Sequence, residues 1–147
     1  MNSLIFLLFL INQPGPLQKM FLRRNPELII RALAMEPRVQ EKVGLSEDEI
    51  NFFKDIYFET RKTTERIKSE IRIREIELEE VMQSEKIDFD KAEKLIKELG
   101  DLNTELRLNQ IRAFRKIYEE LGEKRFNEIR EKLREIKPER RFPRPKR

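Results

Sequence analysis

The chain has 147 residues, 41% of them charged and 38% hydrophobic, with four glycines and no tryptophan; this mixture suits long, partly exposed helices and supplies too little apolar volume for a thick three-layer core. Neither cysteine nor histidine occurs, which excludes a disulfide framework, a thiolate nucleophile and a thiolate zinc site, and removes the usual near-neutral acid/base group and the commonest transition-metal ligand. The net charge of +4 resides in the last ten residues, where Arg140, Arg141, Arg144, Lys146 and Arg147 oppose Glu139 alone, so the rest of the chain is neutral.

Residues Leu4 to Ile11 form an unbroken apolar run. It is too short to span a bilayer as a helix, which takes about 20 residues, but it has the length of a signal-peptide core. It reads as an export signal, against the alternative of a buried or membrane-adhering segment. The basic n-region and a small-x-small cleavage site are absent. Asn12-Gln13-Pro14-Gly15-Pro16 then breaks regular structure, and residues 1–24 form a signal-like or flexible N-terminal segment.

Asn25, Pro26 and Glu27 supply a cap, a first-turn proline and a first-turn acid, and so start a short helix that should end near Met35. Pro37 begins a second short turn ending near Gly44. Ser46 and Glu49 then form a capping box. The helix it opens should run from about Glu47 to Ser84. Along it Ile50, Phe53, Tyr57, Thr60, Thr64, Ile67, Ile71, Arg74, Leu78 and Val81 recur in alternating steps of three and four, the spacing of a seam turned toward a partner helix. The middle of the seam is polar at Thr60, Thr64 and Arg74. A second apolar line, Phe52, Ile56, Ile73 and Ile76, lies off the seam and predicts a second packing face, directed at another subunit.

Lys86-Ile87-Asp88 makes the turn, with Asp88 or Asp90 as cap of the return helix. That helix should run to Leu121 on a seam of Ala92, Leu95, Leu99, Leu102, Leu106, Ala113 and Ile117, interrupted at Asn109 and Gln110. Gly100 inside it predicts a slight bend or a close helix contact. Gly122 ends it, and a last helix over Glu123 to Ile136 shows Phe126, Ile129, Leu133 and Ile136 on one face. Residues 25–137 thus form one helical domain, followed by a basic, proline-rich, disordered tail over 138–147. The tail suits an anionic membrane surface or nonspecific phosphate contacts. The expected fold is all-α: a long antiparallel helical hairpin with short flanking helices, forming an elongated antiparallel dimer.

Two helix starts are alike. Leu45-Ser46-Glu47-Asp48-Glu49 opens the first long helix and Leu121-Gly122-Glu123-Lys124-Arg125 opens the last. Their order resembles the Spy/CpxP-like (LTXXQ-motif) periplasmic stress proteins and the related heavy-metal resistance proteins, whose signature is a repeated Leu-Thr-x-x-Gln at such positions. The resemblance covers about Arg31 to Glu135 and is closest from Ile87 to Tyr118, around Glu105-Leu106-Arg107-Leu108 and Arg112. Here serine or glycine replaces threonine, and Glu49 and Arg125 stand where glutamine is expected. The resemblance implies a cradle-shaped homodimer exported to the periplasm. Some members are ATP-independent chaperones that hold partly folded clients. Others bind or sense heavy metals, largely through histidines. With no histidine that ligand set does not carry over, Met20, Met35 and Met82 are scattered, and the pairs Glu79/Glu80 and Glu119/Glu120 read as solvated helix faces.

No nucleophile–base pair, Gly-rich phosphate loop or dinucleotide fingerprint occurs, so no enzymatic activity and no cofactor are expected. The neutral body shows no recognised DNA-binding module, and nucleic acid is not the expected partner. The notable charges are two basic clusters, one around Arg61, Lys62, Arg66, Lys68, Arg72 and Arg74, the other around Arg107, Arg112, Arg115 and Lys116. The bland reading is a salt-bridged, solvated face. The functional one is a mixed basic and apolar surface that captures acidic, partly folded chains, with Arg61, Arg66, Lys68, Arg72, Arg107 and Arg112 as client-binding residues. The expected function is a periplasmic chaperone or envelope-stress binding protein, whose partners are clients or an envelope sensor. The alternative is metal resistance or sensing through carboxylates.

Overall fold

The computed structural model describes residues 26–136; the apolar run at Leu4–Ile11, Met20 and the basic tail lie outside them. Among the described residues four helices follow in order: α1 (Pro26–Met35), α2 (Pro37–Val43), α3 (Glu47–Met82) and α4 (Phe89–Glu135). There is no strand among the described residues, and the all-α class holds.

Each boundary has a local cause. Pro37 occupies the first turn of α2, where its missing amide hydrogen costs nothing. Gly44 ends α2 in the left-handed region at φ 70°, which a residue without Cβ enters freely. Ser46 caps α3 through the reciprocal box: its Oγ accepts from the Glu49 amide at 3.2 Å, and Glu49 Oε2 accepts from its amide at 3.0 Å. The helix stops at Met82, two residues short of the expected Ser84, whose Oγ donates to the Glu80 carbonyl at 2.9 Å. Of the two aspartates at the turn, Asp88 is the cap, accepting from the Lys91 amide at 3.0 Å.

α3 and α4 pack along their length. Contacts step backward along α4 as they step forward along α3: Glu49 meets Arg125, Thr64 meets Asn109, and Arg74 meets Glu98. The pair is therefore an antiparallel hairpin, with each arm roughly 50 Å long. Phe53, Tyr57, Thr60, Thr64, Ile67 and Val81 of the α3 seam are buried, as are Ala92, Leu95, Ala113 and Ile117 of the α4 seam.

Two apolar clusters hold the molecule. At the hairpin tip Val81, Ala92 and Leu95 pack with Leu78. At the base a larger core gathers Ile30, Leu33 and Ala34 of α1, Val39 and Val43 of α2, Phe53, Ile56 and Tyr57 of α3, and Ala113, Ile117 and Ile129 of α4. The segment after Gly122 turns back into this core because Gly122 leaves the helical region entirely, at φ 77° and ψ 161°. At Gly100 the close helix contact is absent: this glycine lies inside α4 with open space where a Cβ would stand.

The polar middle of the seam is closed. Thr64 is only 1% exposed. Asn109 Nδ2 donates across the hairpin to the Thr60 carbonyl at 3.1 Å and to Thr64 Oγ1 at 3.2 Å. The interruptions on the two helices meet each other, which satisfies their polar groups and excludes water.

Candidate functional site

A heptad frame sorts the surface of the hairpin. Tyr57, Thr64, Ile71 and Leu78 take position a of α3 and Thr60, Ile67, Arg74 and Val81 take position d; on α4 Ala92, Leu99, Leu106 and Ala113 take a, with Leu95, Leu102 and Asn109 at d. Because the helices are antiparallel, their g positions adjoin on one flank and their e positions on the other. The six basic residues expected to act together divide between these flanks.

On the g flank the central charges pair with one another. Arg66 pairs with Glu70 at 3.1 Å, Arg112 with Glu105 at 2.6 Å, and Lys116 with Glu59 at 2.6 Å across the hairpin. Arg74 bridges Glu77 at 2.8 Å and Glu98 at 2.9 Å. Its guanidinium is held above its ordinary pKa, first by the Glu77 hydrogen bond and then by the charges of Glu77 and Glu98. This flank is the salt-bridged, solvated face of the bland reading, and Arg66 and Arg112 belong to it.

Arg61, Lys68, Arg72 and Arg107 lie together on the e flank, at e and b positions, all exposed. None has an ion pair among the described residues. Arg61 instead donates from Nη1 to the Tyr57 hydroxyl at 2.8 Å and stands 5.9 Å from the centre of that ring, an arrangement favourable to a cation. Phe58, at a b position of the same flank, stays exposed beside Tyr57, and Ile111 is exposed at its outer edge. The flank therefore offers unneutralised positive charge next to apolar surface. Glu65 is the carboxylate among these basic side chains.

The second apolar line of α3 is not one free face. Ile56 is 6% exposed inside the basal core and Phe52 packs against that core, because α1 lies along this end of α3. Neither is available to another chain. Ile73 and Ile76, beyond the reach of α1, remain 51% and 57% exposed. Ile73 sits on the g flank and Ile76 on the outer face, so the four do not form a common interface.

The two similar helix starts are joined directly. The fifth residues of the repeated pattern, Glu49 and Arg125, form a two-pronged pair: Arg125 Nε donates to Glu49 Oε1 at 2.7 Å and Nη2 to Oε2 at 2.8 Å. Arg125 Nη2 also donates to the Gly44 carbonyl at 2.8 Å. Both side chains are largely shielded. The Arg125 hydrogen bond holds the Glu49 carboxyl below its ordinary value of 4.5, against the opposing effect of burial. The signal for this clasp was present in the sequence as opposite charges at matching positions, but only the fold shows that the positions touch. Lys132 adds a bond to the Val43 carbonyl at 3.3 Å, so the final segment is fastened to α2 at two points.

Among the described residues no three or more carboxylates gather where a metal ion could be held. Glu79 and Glu119 of the acidic pairs are taken up by Gln83 and Arg115 respectively. No family model matches the chain, and neither does any curated protein or solved structure.

Proposed function

We propose that the protein is a periplasmic, ATP-independent binding protein of the Spy/CpxP-like kind, holding partly folded, acidic clients on the e flank of its hairpin. The observation that carries this reading is the separation of charge between flanks. Arg66, Arg112 and Lys116 on the g flank are neutralised within the chain, whereas Arg61, Lys68, Arg72 and Arg107 have no carboxylate partner among the described residues and lie beside exposed Phe58 and Ile111. Unpaired cations draw an acidic chain by long-range attraction, and scattered apolar side chains hold it without fixing one conformation. The apolar run at Leu4–Ile11 supports export.

Suppression of client aggregation tests the reading. The variant carrying Arg61→Glu, Lys68→Glu, Arg72→Glu and Arg107→Glu should lose most of its holding capacity toward an acidic client. Arg66→Glu with Arg112→Glu, on the other flank, should retain it. Circular dichroism should show both variants to be as helical as the parent. Equal loss from both flanks, or none from either, sinks the assignment.

A further inference from the structure

Among the described residues the buried side-chain polar atoms without a hydrogen-bond partner are Arg130 Nε, Arg134 Nε and Arg134 Nη2. All three belong to two arginines four residues apart on α4, beyond Gly122, and so to one face of that segment. Arg134 gives only Nη1 to a carboxylate, that of Glu131 at 3.0 Å. Arg130 has no ion pair among the described residues. Buried donors left unmet are costly, and three together on one face call for an acceptor.

The same face borders apolar space. Arg130 and Leu133 line a groove at the base of the hairpin, walled also by Ile29 and Leu33 of α1 and by Phe114 and Phe126 of α4. Arg130 is the charged member of its lining. The groove offers about 310 Å³, counting the part open to solvent, which suits one alkyl chain lying along it rather than the paired chains of a phospholipid.

The unmet donors of Arg134 define the head group. Nε and Nη2 are the pair with which Arg125 grips Glu49 in this same protein, Nε on Oε1 at 2.7 Å and Nη2 on Oε2 at 2.8 Å. That edge of a guanidinium matches the two oxygens of a planar carboxylate. We propose that the base of the hairpin binds a single-chain aliphatic carboxylate, with its chain along the groove and its head on the Nε/Nη2 edge of Arg134. Arg130 Nε is the further donor. Neighbouring atoms cover these nitrogens, so the head displaces side chains at the end of α4 as it enters. Arg134 lies just before the C-cap Ile136, where a helix yields most easily. None of Arg61, Lys68, Arg72 and Arg107 lines the groove, and the site does not depend on the client reading.

Calorimetric titration of the full chain with decanoate, kept below its micelle-forming concentration, tests the site. The chain should take up a single equivalent and hold decanoate more tightly than hexanoate. Decyltrimethylammonium, the same alkyl chain under a cationic head, should bind at least about tenfold more weakly; this comparison needs no variant. Arg134→Lys keeps the charge and removes the fork, and should weaken decanoate by at least about tenfold while circular dichroism stays that of the parent. Arg61→Glu, Lys68→Glu, Arg72→Glu and Arg107→Glu together should leave decanoate binding unchanged. No uptake by the full chain, as when its own residues from outside 26–136 or a second copy already fill the groove, overturns the proposal. Equal binding of the two decyl probes, or an Arg134→Lys variant that binds as the parent does, also overturns it. Loss of decanoate from the e-flank variant moves the ligand to that flank and overturns it too. Each of these failures leaves the client reading standing, because that reading is decided by aggregation of an acidic client.

Discussion

Glu49 serves two structures at once. Its carboxylate completes the capping box at Ser46 and receives both prongs of Arg125, so one side chain ties the start of α3 to the segment after Gly122. Arg125→Ala removes the charge-assisted bonds and should lower stability by about 1–3 kcal/mol in chemical denaturation. Acid should do the same gradually. The folded carboxyl titrates below its ordinary value of 4.5, so its stabilisation is complete above that value and disappears as pH falls through the depressed one. The stability gap between the parent and Glu49→Gln should therefore be widest near neutrality and close as pH falls through the depressed value; a gap that stays constant disproves the linkage. Asn109 acts similarly at the centre of the hairpin, spanning Thr60 and Thr64. Asn109→Ala leaves the buried Thr64 hydroxyl without its donor and should cost about 1–3 kcal/mol, measured by thermal or urea unfolding.

At the scale of elements, two glycines on one helix have opposite meanings. Gly122 adopts φ 77°, and a Cβ placed on it would meet nothing within 4 Å, so its requirement is for backbone conformation alone. Gly122→Ala should destabilise by about 1–2 kcal/mol. Gly100 sits in ordinary helix with open space around it, and Gly100→Ala should raise stability by about 1 kcal/mol. Calorimetric melting of the two variants should give shifts of opposite sign; shifts of the same sign would refute the distinction. The start of each helix was readable from Pro26, Pro37, Ser46 and Asp88, because caps and first-turn prolines act within a few residues. Whether Gly100 marks a close contact was not readable, since a glycine in a helix says only that a side chain is missing. Phe52 and Ile56 show the same limit. Their spacing marks them as apolar and off the seam, but whether α1 or another chain covers them is decided by where α1 lies.

For the whole molecule, charge separation between flanks predicts a salt effect. Holding of an acidic client on exposed, unpaired cations should weaken as ionic strength rises and the Debye length shortens from about 10 Å at 0.1 M to about 3 Å at 1 M. Helicity should change little, because the tip and basal clusters are apolar. An aggregation assay across that range checks both. The all-α class, the hairpin seam and the polar interruption at its centre were all legible in the linear chain, since heptad spacing and end caps are local and periodic properties. Which interruption meets which was not legible there. It took the packing of α3 on α4 to show that Thr60, Thr64 and Asn109 close the centre rather than open it. Side-chain pairing decides which cations are neutralised. Arg66 and Arg112 looked like Arg61 and Arg107 in a linear count of charges. Within each helix Arg66 meets Glu70 and Arg112 meets Glu105, and only the antiparallel packing brings Glu59 of α3 to Lys116 of α4, while Arg61 and Arg107 have no carboxylate partner among the described residues.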